Sequence, residues 1–184
     1  MESFLTIELR LTKNKYAVLD TSGNELYIAL EEKGPVIARW FLKALRPFEI
    51  RVRTYDNQLV LRVGRPFRFY FHQLNVFDSH DNLLGTIKKR FSLLRRIYSV
   101  IDSSGQEIFQ LFGPIFHPWT FEIRKGTALH GKITKKWSGL LKEGFTDADN
   151  FGITFLKEWD IKIKSLFPGA VFLIDFVHFE NTGN

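Results

Sequence analysis

Short apolar runs recur along the chain, and each is closed by residues typical of a tight turn. The turn signals stand at 22–23, 56–57, 81–82, 104–105 and 126, where Gly, Asp, Asn and Ser suit the backbone of a tight turn. Many short strands with few long helices either close into an antiparallel barrel or pair into a sandwich. Closure is favoured because it removes exposed strand edges. The pattern therefore predicts a mainly β fold.

The chain also contains an internal repeat. Residues 16–27 match residues 98–109, and each copy reads as an apolar strand, a D-[ST]-S-G turn and a second strand. Asp can bond the backbone two residues further on, and Gly supplies a positive φ, so the turn residues suit a hairpin. We therefore expect a single domain over 1–184 built from two related halves, at about 1–91 and 92–184.

Two segments depart from the strand pattern. Residues 35–45 carry apolar positions at helical spacing after a proline, which predicts one short extra helix there. Residues 166–179 form the most apolar stretch of the chain, but these 14 residues fall short of the roughly 20 that a helix needs to cross a bilayer. We predict a hydrophobic C-terminal helix enclosed by the barrel.

The predicted C-terminal helix contains two polar residues, Asp175 and His178. Their spacing places them on one helix face, and buried polar groups are normally paired. We expect them to hydrogen-bond to each other or to the barrel wall. A catalytic dyad is the less favoured alternative, because no nucleophile accompanies them. The chain also lacks a GxSxG, P-loop, HExxH or dinucleotide motif, so we predict that the protein is not an enzyme.

The net charge of the chain indicates which classes of partner the protein could bind. The formal net charge is +6, which suggests contact with phospholipid headgroups, nucleic acid or an acidic protein. No RRM, KH or zinc-finger signature is present, so nucleic acid is disfavoured. The absence of Cys excludes disulfides and thiol nucleophiles. The first residues do not read as a signal peptide, so we expect a cytoplasmic protein that is not secreted.

Three basic groups interrupt the apolar pattern, at 62–68, 88–96 and 132–136. Strand alternation would put several of these cations on the outer face, where each contributes on the order of 1 kcal/mol next to an anionic membrane. Phe91 and Trp137 stand beside the clusters, a position typical of the headgroup level. A solvated barrel exterior is the alternative. The predicted lipid-binding residues are Lys88, Lys89, Arg90, Arg95, Arg96, Lys132, Lys135 and Lys136.

The last third of the chain resembles the phospholipid scramblase family. The resemblance is carried by residues 131–153, which include FTDADNFGI, and by FLIDF at 172–176. It implies the tubby C-terminal-like (LURP-one-related) fold, a closed barrel of about twelve antiparallel strands around a hydrophobic helix. It also implies calcium-stimulated, energy-independent movement of phospholipid between leaflets. The cysteine cluster that is palmitoylated in animal members is absent here, so stable anchoring would need another signal.

The resemblance further implies a Ca²⁺ loop that begins at the DADNFG segment. Its candidate ligands are Asp147, Asp149, Phe151, Ile153 and Glu158. Two observations argue against it: Phe151 offers no side-chain oxygen, and the residues that follow Asn150 alternate like a strand. The other interpretation is a turn over 146–150 that leads into a core strand.

These observations predict a phospholipid scramblase-like protein, peripheral at a membrane, that binds anionic phospholipid. Surface binding is better supported than lipid translocation, because a buried apolar helix offers no polar path across a bilayer. The alternative is a soluble tubby-like interaction or regulatory module without scrambling activity, since a fold does not fix a function.

Overall fold

The computed structural model describes residues 3–11, 16–32, 48–65, 72–136 and 149–178. The short helix predicted over 35–45 lies outside these residues. Twelve strands and two helices are present in the described part of the chain. The strands are β1 (Phe4–Leu11), β2 (Tyr16–Leu19), β3 (Glu25–Glu32), β4 (Phe48–Arg53), β5 (Leu59–Arg65), β6 (Gln73–Asp78), β7 (Leu83–Lys89), β8 (Arg96–Asp102), β9 (Glu107–Gly113), β10 (Thr120–Lys125), β11 (Ala128–Lys136) and β12 (Asp149–Leu156). The helices are α1 (Ile161–Lys164) and α2 (Leu166–His178).

Every strand pairs antiparallel with the next one along the chain, and β1 pairs with β12 to close the barrel. The closing register sets Leu9 opposite Phe151 and Ile7 opposite Ile153. Side chains alternate between the two faces of a strand, and the inward positions are apolar: β4 reads buried at Phe48, Ile50 and Val52. The predicted closed antiparallel barrel of about twelve strands is confirmed.

Tight turns that share one hydrogen-bond pattern close one end of the barrel, which we call the turn end. Asp20, Asp78 and Asp102 each end or follow a strand, and each Oδ1 accepts backbone N–H bonds from the residues two and four positions on, at 2.8–2.9 Å. The third residue after each Asp has a positive φ, as at Gly23 (83°) and Gly105 (88°). These turns are encoded locally by residue type.

The two copies of the internal repeat are the hairpins β2–β3 and β8–β9. They lie six strands apart around the barrel, and both register shifts fall at matching positions, after Val18 and after Val100. The equivalence therefore extends from the turn to the bulge that twists each hairpin. The division of the chain into two halves stays a prediction.

Helix α2 fills the barrel, as the sequence predicts for the C-terminal apolar segment. Asp160 caps α1 by accepting the Lys162 N–H at 2.7 Å, and α2 then enters at the turn end. Its residues from Leu166 to Ile174 are all buried. At Gly169 a Cβ atom would lie 2.8 Å from Cγ2 of Val76, so the absent side chain lets the helix backbone approach β6.

Candidate lipid-binding surface

The end of the barrel opposite the turn end, where β7 joins β8 and β9 joins β10, is called the loop end here. Its described connections are the loops at 90–95 and 114–119. The basic cluster at 88–96 surrounds the 90–95 loop, because it occupies the end of β7 and the start of β8. Lys135 and Lys136 reach the same end on β11, three strands away, while Lys132 lies further down the outer wall. The structure thus brings together the 88–96 cluster and separates it from the β11 cations.

Arg96 holds two loops together. Its guanidinium donates to the carbonyl oxygens of Pro114 (3.2 Å), His117 (3.3 Å) and Pro118, and it lies 4.8 Å from the Phe121 ring centroid. Carbonyl oxygens therefore occupy several of the donors that a phosphate would need. Arg96 therefore positions the 114–119 loop, and its assignment as a lipid-binding residue stays a prediction.

Of the other cations of the predicted set, Lys135 and Lys89 are partly buried, and Lys136 is exposed but paired. The Lys135 ammonium contacts Asp149 at 2.7 Å with only 10% of its side chain exposed, and its assignment as a lipid ligand stays a prediction. Lys136 of β11 pairs with Glu8 of β1 across the intervening strand β12. Lys89 is half-buried, and burial lowers its pKa, because removal from water disfavours the charged form.

The remaining cations of the predicted set are solvent-exposed, namely Lys88, Arg90, Arg95 and Lys132. Arg90 forms a 3.6 Å ion pair with Glu107, and both side chains are exposed. Exposed pairs of this kind contribute at most about 1 kcal/mol, so the arginine can exchange its partner for a phosphate at little cost. Arg95 lies 5.4 Å from the Phe112 ring centroid. Lys88, Arg90 and Arg95 form the exposed basic group of the loop end.

Large apolar side chains project into solvent between these cations. The sequence predicts Phe91 at the headgroup level, but it does not predict the exposure of the neighbouring apolar residues. The available signal was three apolar residues within FSLL at 91–94, between cations, and the apolar pair IF at 115–116, between prolines at 114 and 118. The exposed fractions are 81% for Phe91, 88% for Leu93, 79% for Leu94, 54% for Ile115 and 90% for Phe116. Trp137 lies outside the described residues.

The candidate Ca²⁺ ligands do not converge. Residues 149–156 form β12, with the Phe151 and Ile153 side chains buried in the core. At about 3.3 Å per residue, this strand separates Asp149 from Glu158 by well over 20 Å, whereas Ca²⁺ ligands lie within 2.6 Å of one ion. Asp149 binds Lys135, and Glu158 accepts from the Ser3 hydroxyl at the far end.

The residues described at this segment therefore do not fit an EF-hand-like loop. Asp147 lies outside the described residues. Within the described ranges, no group of three or more His, Asp or Glu side chains is arranged to hold a metal ion. Residues 151–155 lie in a strand, as the second interpretation predicts. This strand, β12, closes the barrel against β1.

His178, at the end of α2, bonds the barrel wall. Its Nε2 lies 2.8 Å from the Tyr98 hydroxyl of β8, as one of the two predicted alternatives requires. Burial, assisted by the nearby cations Lys89 and Arg96 and by His72, lowers the pKa of His178 to about 4. Asp175 lies on the same helix and lines a small cleft with Tyr16 and Glu31 of β2 and β3. The contact between α2 and β8 joins the helix end to the strand that begins at Arg96.

Fold and surface together define a class of protein: a closed β-barrel plugged by an apolar helix, with a basic and apolar loop end. The chain belongs to the Scramblase family, whose family model matches residues 1–181. Among the described residues, no helix combines the length and the apolar character needed to cross a bilayer.

The relatives carry the name phospholipid scramblase. The chain is 30% identical to phospholipid scramblase 1 of Mus musculus over 187 residues, covering 94% of this chain and 57% of that protein. It is 29% identical to phospholipid scramblase family member 5 of Homo sapiens over 185 residues, covering 93% of this chain and 68% of that one. The chain therefore spans little more than half the length of phospholipid scramblase 1.

A solved structure shares the fold. The X-ray structure of a protein from Arabidopsis thaliana superposes with a TM-score of 0.58 over 96% of this chain and 92% of that chain. The two sequences are 17% identical, so the likeness concerns the architecture alone. It supports the barrel and its central helix as the shared framework.

Proposed function

We propose that this protein is a peripheral, cytosolic membrane protein that binds anionic phospholipid through the exposed basic group of the loop end. The observation that carries the proposal is the clustering of Lys88, Arg90 and Arg95 around one exposed loop. Next to a negatively charged leaflet, each such cation contributes about 1 kcal/mol. The membership of the Scramblase family supports lipid as the anionic partner. The binding involves no covalent chemistry.

Transbilayer movement of phospholipid is the further activity that the names of the relatives suggest for this chain, and its stimulation by Ca²⁺ is what the sequence resemblance implies. The described Asp149 and Glu158 do not form a common site, so calcium dependence stays a prediction without an assigned ligand set. A second candidate is an interaction or regulatory module that binds lipid without moving it. The burial of α2 inside the barrel favours this second candidate, because the helix is occupied in filling the core.

Vesicle flotation tests the lipid-binding proposal. The protein is mixed with phosphatidylcholine vesicles with or without phosphatidylserine, and bound protein is measured over a range of salt concentrations. We expect binding only to the anionic vesicles, weakening as salt rises, because exposed charges are screened within a Debye length of about 8 Å at physiological ionic strength. Equal binding to neutral vesicles, or none to either, would refute the proposal.

A leaflet-exchange assay separates the two candidates. Protein is reconstituted with vesicles that carry a fluorescent phospholipid in both leaflets, and a membrane-impermeant reductant destroys the dye in the outer leaflet. Loss of the protected inner fraction with Ca²⁺, and not with a chelator, supports calcium-stimulated scrambling. A protected fraction that stays constant while the protein binds the vesicles supports the module that binds without moving lipid.

A further inference from the structure

The apolar side chains of the loop end are unusually exposed. The four most exposed large hydrophobic residues in the described part of the chain are Phe91, Leu93, Leu94 and Phe116, at 79–90%. All four belong to the 90–95 and 114–119 loops, and the half-exposed Ile115 accompanies them. Contiguous exposed apolar groups mark sites that are covered in use by protein or membrane. We call these five side chains the apolar tip.

The two loops of the apolar tip are fixed to each other. Arg96 follows the first loop directly, and its guanidinium bonds three carbonyl oxygens of the second loop. Trp119 ends the second loop, and its carbonyl accepts the Lys135 N–H of β11 at 2.8 Å. A surface that is held in place before binding loses less conformational entropy when it binds. The hydrogen bonds of both loops therefore hold the apolar tip in position on the barrel.

Charge indicates what covers the tip. Arg90 and Arg95 flank the 90–95 loop, so cations lie at the base of the apolar side chains. This order, with apolar groups outermost and cations behind them, matches the depth order of a bilayer interface, in which phosphates overlie acyl chains. The acidic turns at Asp20, Asp78 and Asp102 are at the opposite end of the barrel, away from an anionic surface.

We propose that the apolar tip inserts into the acyl region of an anionic bilayer. In this orientation the loop end of the barrel faces the membrane, and the exposed basic group contacts the phosphates. The inference rests on the proposed lipid binding and deepens it, because it assigns the inserted residues and the orientation. Insertion supplies a second, salt-insensitive contribution to binding, which the electrostatic proposal alone does not contain. Two signals together are what stable peripheral attachment requires.

Site-specific labelling tests the insertion. The chain contains no Cys, so Leu93→Cys and Phe116→Cys each give a single site for an environment-sensitive fluorophore. Leu129→Cys, at the turn end and 60% exposed, is the matched control. With phosphatidylcholine–phosphatidylserine vesicles that contain acyl-chain spin labels, we expect a blue shift and quenching at positions 93 and 116, and neither at position 129.

Two outcomes of the labelling experiment distinguish a failure of membrane insertion from a failure of lipid binding. Flotation of the labelled proteins without quenching at 93 and 116 overturns insertion and leaves lipid binding intact. Absence of flotation by the unlabelled protein overturns both. A blue shift that grows with protein concentration in the absence of vesicles shows that a second copy covers the tip, and it also overturns the inference.

Serine substitutions measure the contribution of the tip. In Leu93→Ser/Leu94→Ser we expect partitioning into anionic vesicles to fall at least about tenfold, because burial of two leucines is lost. The salt dependence should keep its slope, since no cation changes. The control Leu83→Ser/Leu129→Ser removes two exposed leucines from the turn end and should bind normally. Equal loss in both variants, with both folded, would overturn the assignment.

Discussion

At the scale of single residues, two adjacent arginines of the basic cluster have different roles. Arg95 is exposed, and its guanidinium lies over the Phe112 ring. Arg96 turns inward and donates to three carbonyl oxygens. Sequence alone does not separate them, because the carbonyl acceptors lie about twenty residues away along the chain. The difference predicts that one arginine contributes to stability and the other to binding.

We expect Arg96→Lys to lower the free energy of unfolding by about 1–3 kcal/mol, because an ammonium cannot bond the three spread carbonyls that the guanidinium reaches. Urea unfolding followed by circular dichroism measures the change. Arg95→Lys, which keeps an exposed charge, is the control and should unfold at the wild-type urea concentration. Identical midpoints for the two variants would contradict the structural role of Arg96.

His178 gives the barrel a pH dependence of known sign. Its pKa is lowered from 6.5 to about 4 by burial, and His72 is lowered to about 4 for the same reason. Between these values the unfolded chain binds protons that the folded chain does not, so stability is full above about pH 6.5 and falls as the pH drops towards 4. Below that window, the lowered pKa values of Asp20, Asp78 and Asp102 continue the loss.

The measurement is the urea midpoint at several pH values from 7 to about 4. In His178→Asn the amide can still bond the Tyr98 hydroxyl but does not titrate, so we expect a shallower fall of the midpoint. The double variant with His72→Asn should be shallower again. A wild-type midpoint that stays constant across the window would disprove the assignment of these two histidines.

At the scale of elements, the strands and turns could be predicted because their signals are local. An Asp followed three residues later by Gly at the end of an apolar run specifies the β2–β3 and β8–β9 hairpins. The apolar C-terminal run specifies a buried helix by its length. The ion pairs could not be predicted, because their partners meet only in the closed barrel: Lys136 and Glu8 are 128 residues apart. Strand alternation predicts that several of the basic residues face outward, but it does not show which carboxylates Lys135 and Lys136 bind.

The apolar tip escaped prediction for a related reason. A short segment rich in apolar residues can belong to a core strand or to an exposed loop, and periodicity does not distinguish the two. The candidate Ca²⁺ loop shows the converse. Its acidic residues match a known ligand spacing, but Phe151 and Ile153 have their side chains in the core, so the backbone is extended. Burial of the apolar positions overrides the motif.

The fit between helix α2 and the barrel wall predicts a sensitive position at Gly169. Valine at this position would place its Cβ 2.8 Å from Cγ2 of Val76 and 3.1 Å from Cδ2 of Leu74. We expect Gly169→Val to lower the free energy of unfolding by about 1–3 kcal/mol through overpacking. Glycine and valine both disfavour helix relative to alanine, so propensity does not account for such a loss.

Gly64→Ala is the control for the Gly169 variant in urea unfolding. Its added Cβ would meet nothing closer than 3.5 Å, so its stability should match the wild type or exceed it slightly. A Gly169→Val protein as stable as the Gly64→Ala protein would show that α2 packs loosely in the barrel. Helix α2 would then be able to shift within the barrel and would not be fixed in the core.

At the scale of the whole molecule, the barrel has two chemically different ends. The turn end carries the Asp-based turns, whereas the loop end carries Lys88, Arg90 and Arg95 around the apolar tip. A net charge of +6 would attract the protein to an anionic surface in any orientation. The arrangement of the charges, in contrast, favours one orientation. Substitutions that change net charge equally at the two ends distinguish these possibilities.

We expect Arg90→Glu/Arg95→Glu to abolish binding to phosphatidylserine-containing vesicles, whereas Lys125→Glu/Lys162→Glu at the turn end should retain most of it. Each double variant exchanges two cations for two anions, which takes the formal net charge from +6 to +2. All four residues are exposed, so both variants should fold. Because the long-range attraction is the same in the two variants, any difference in flotation reports where the protein contacts the bilayer. Equal weakening of both would mean that attachment depends on total charge, and the loop end would have no special part in it.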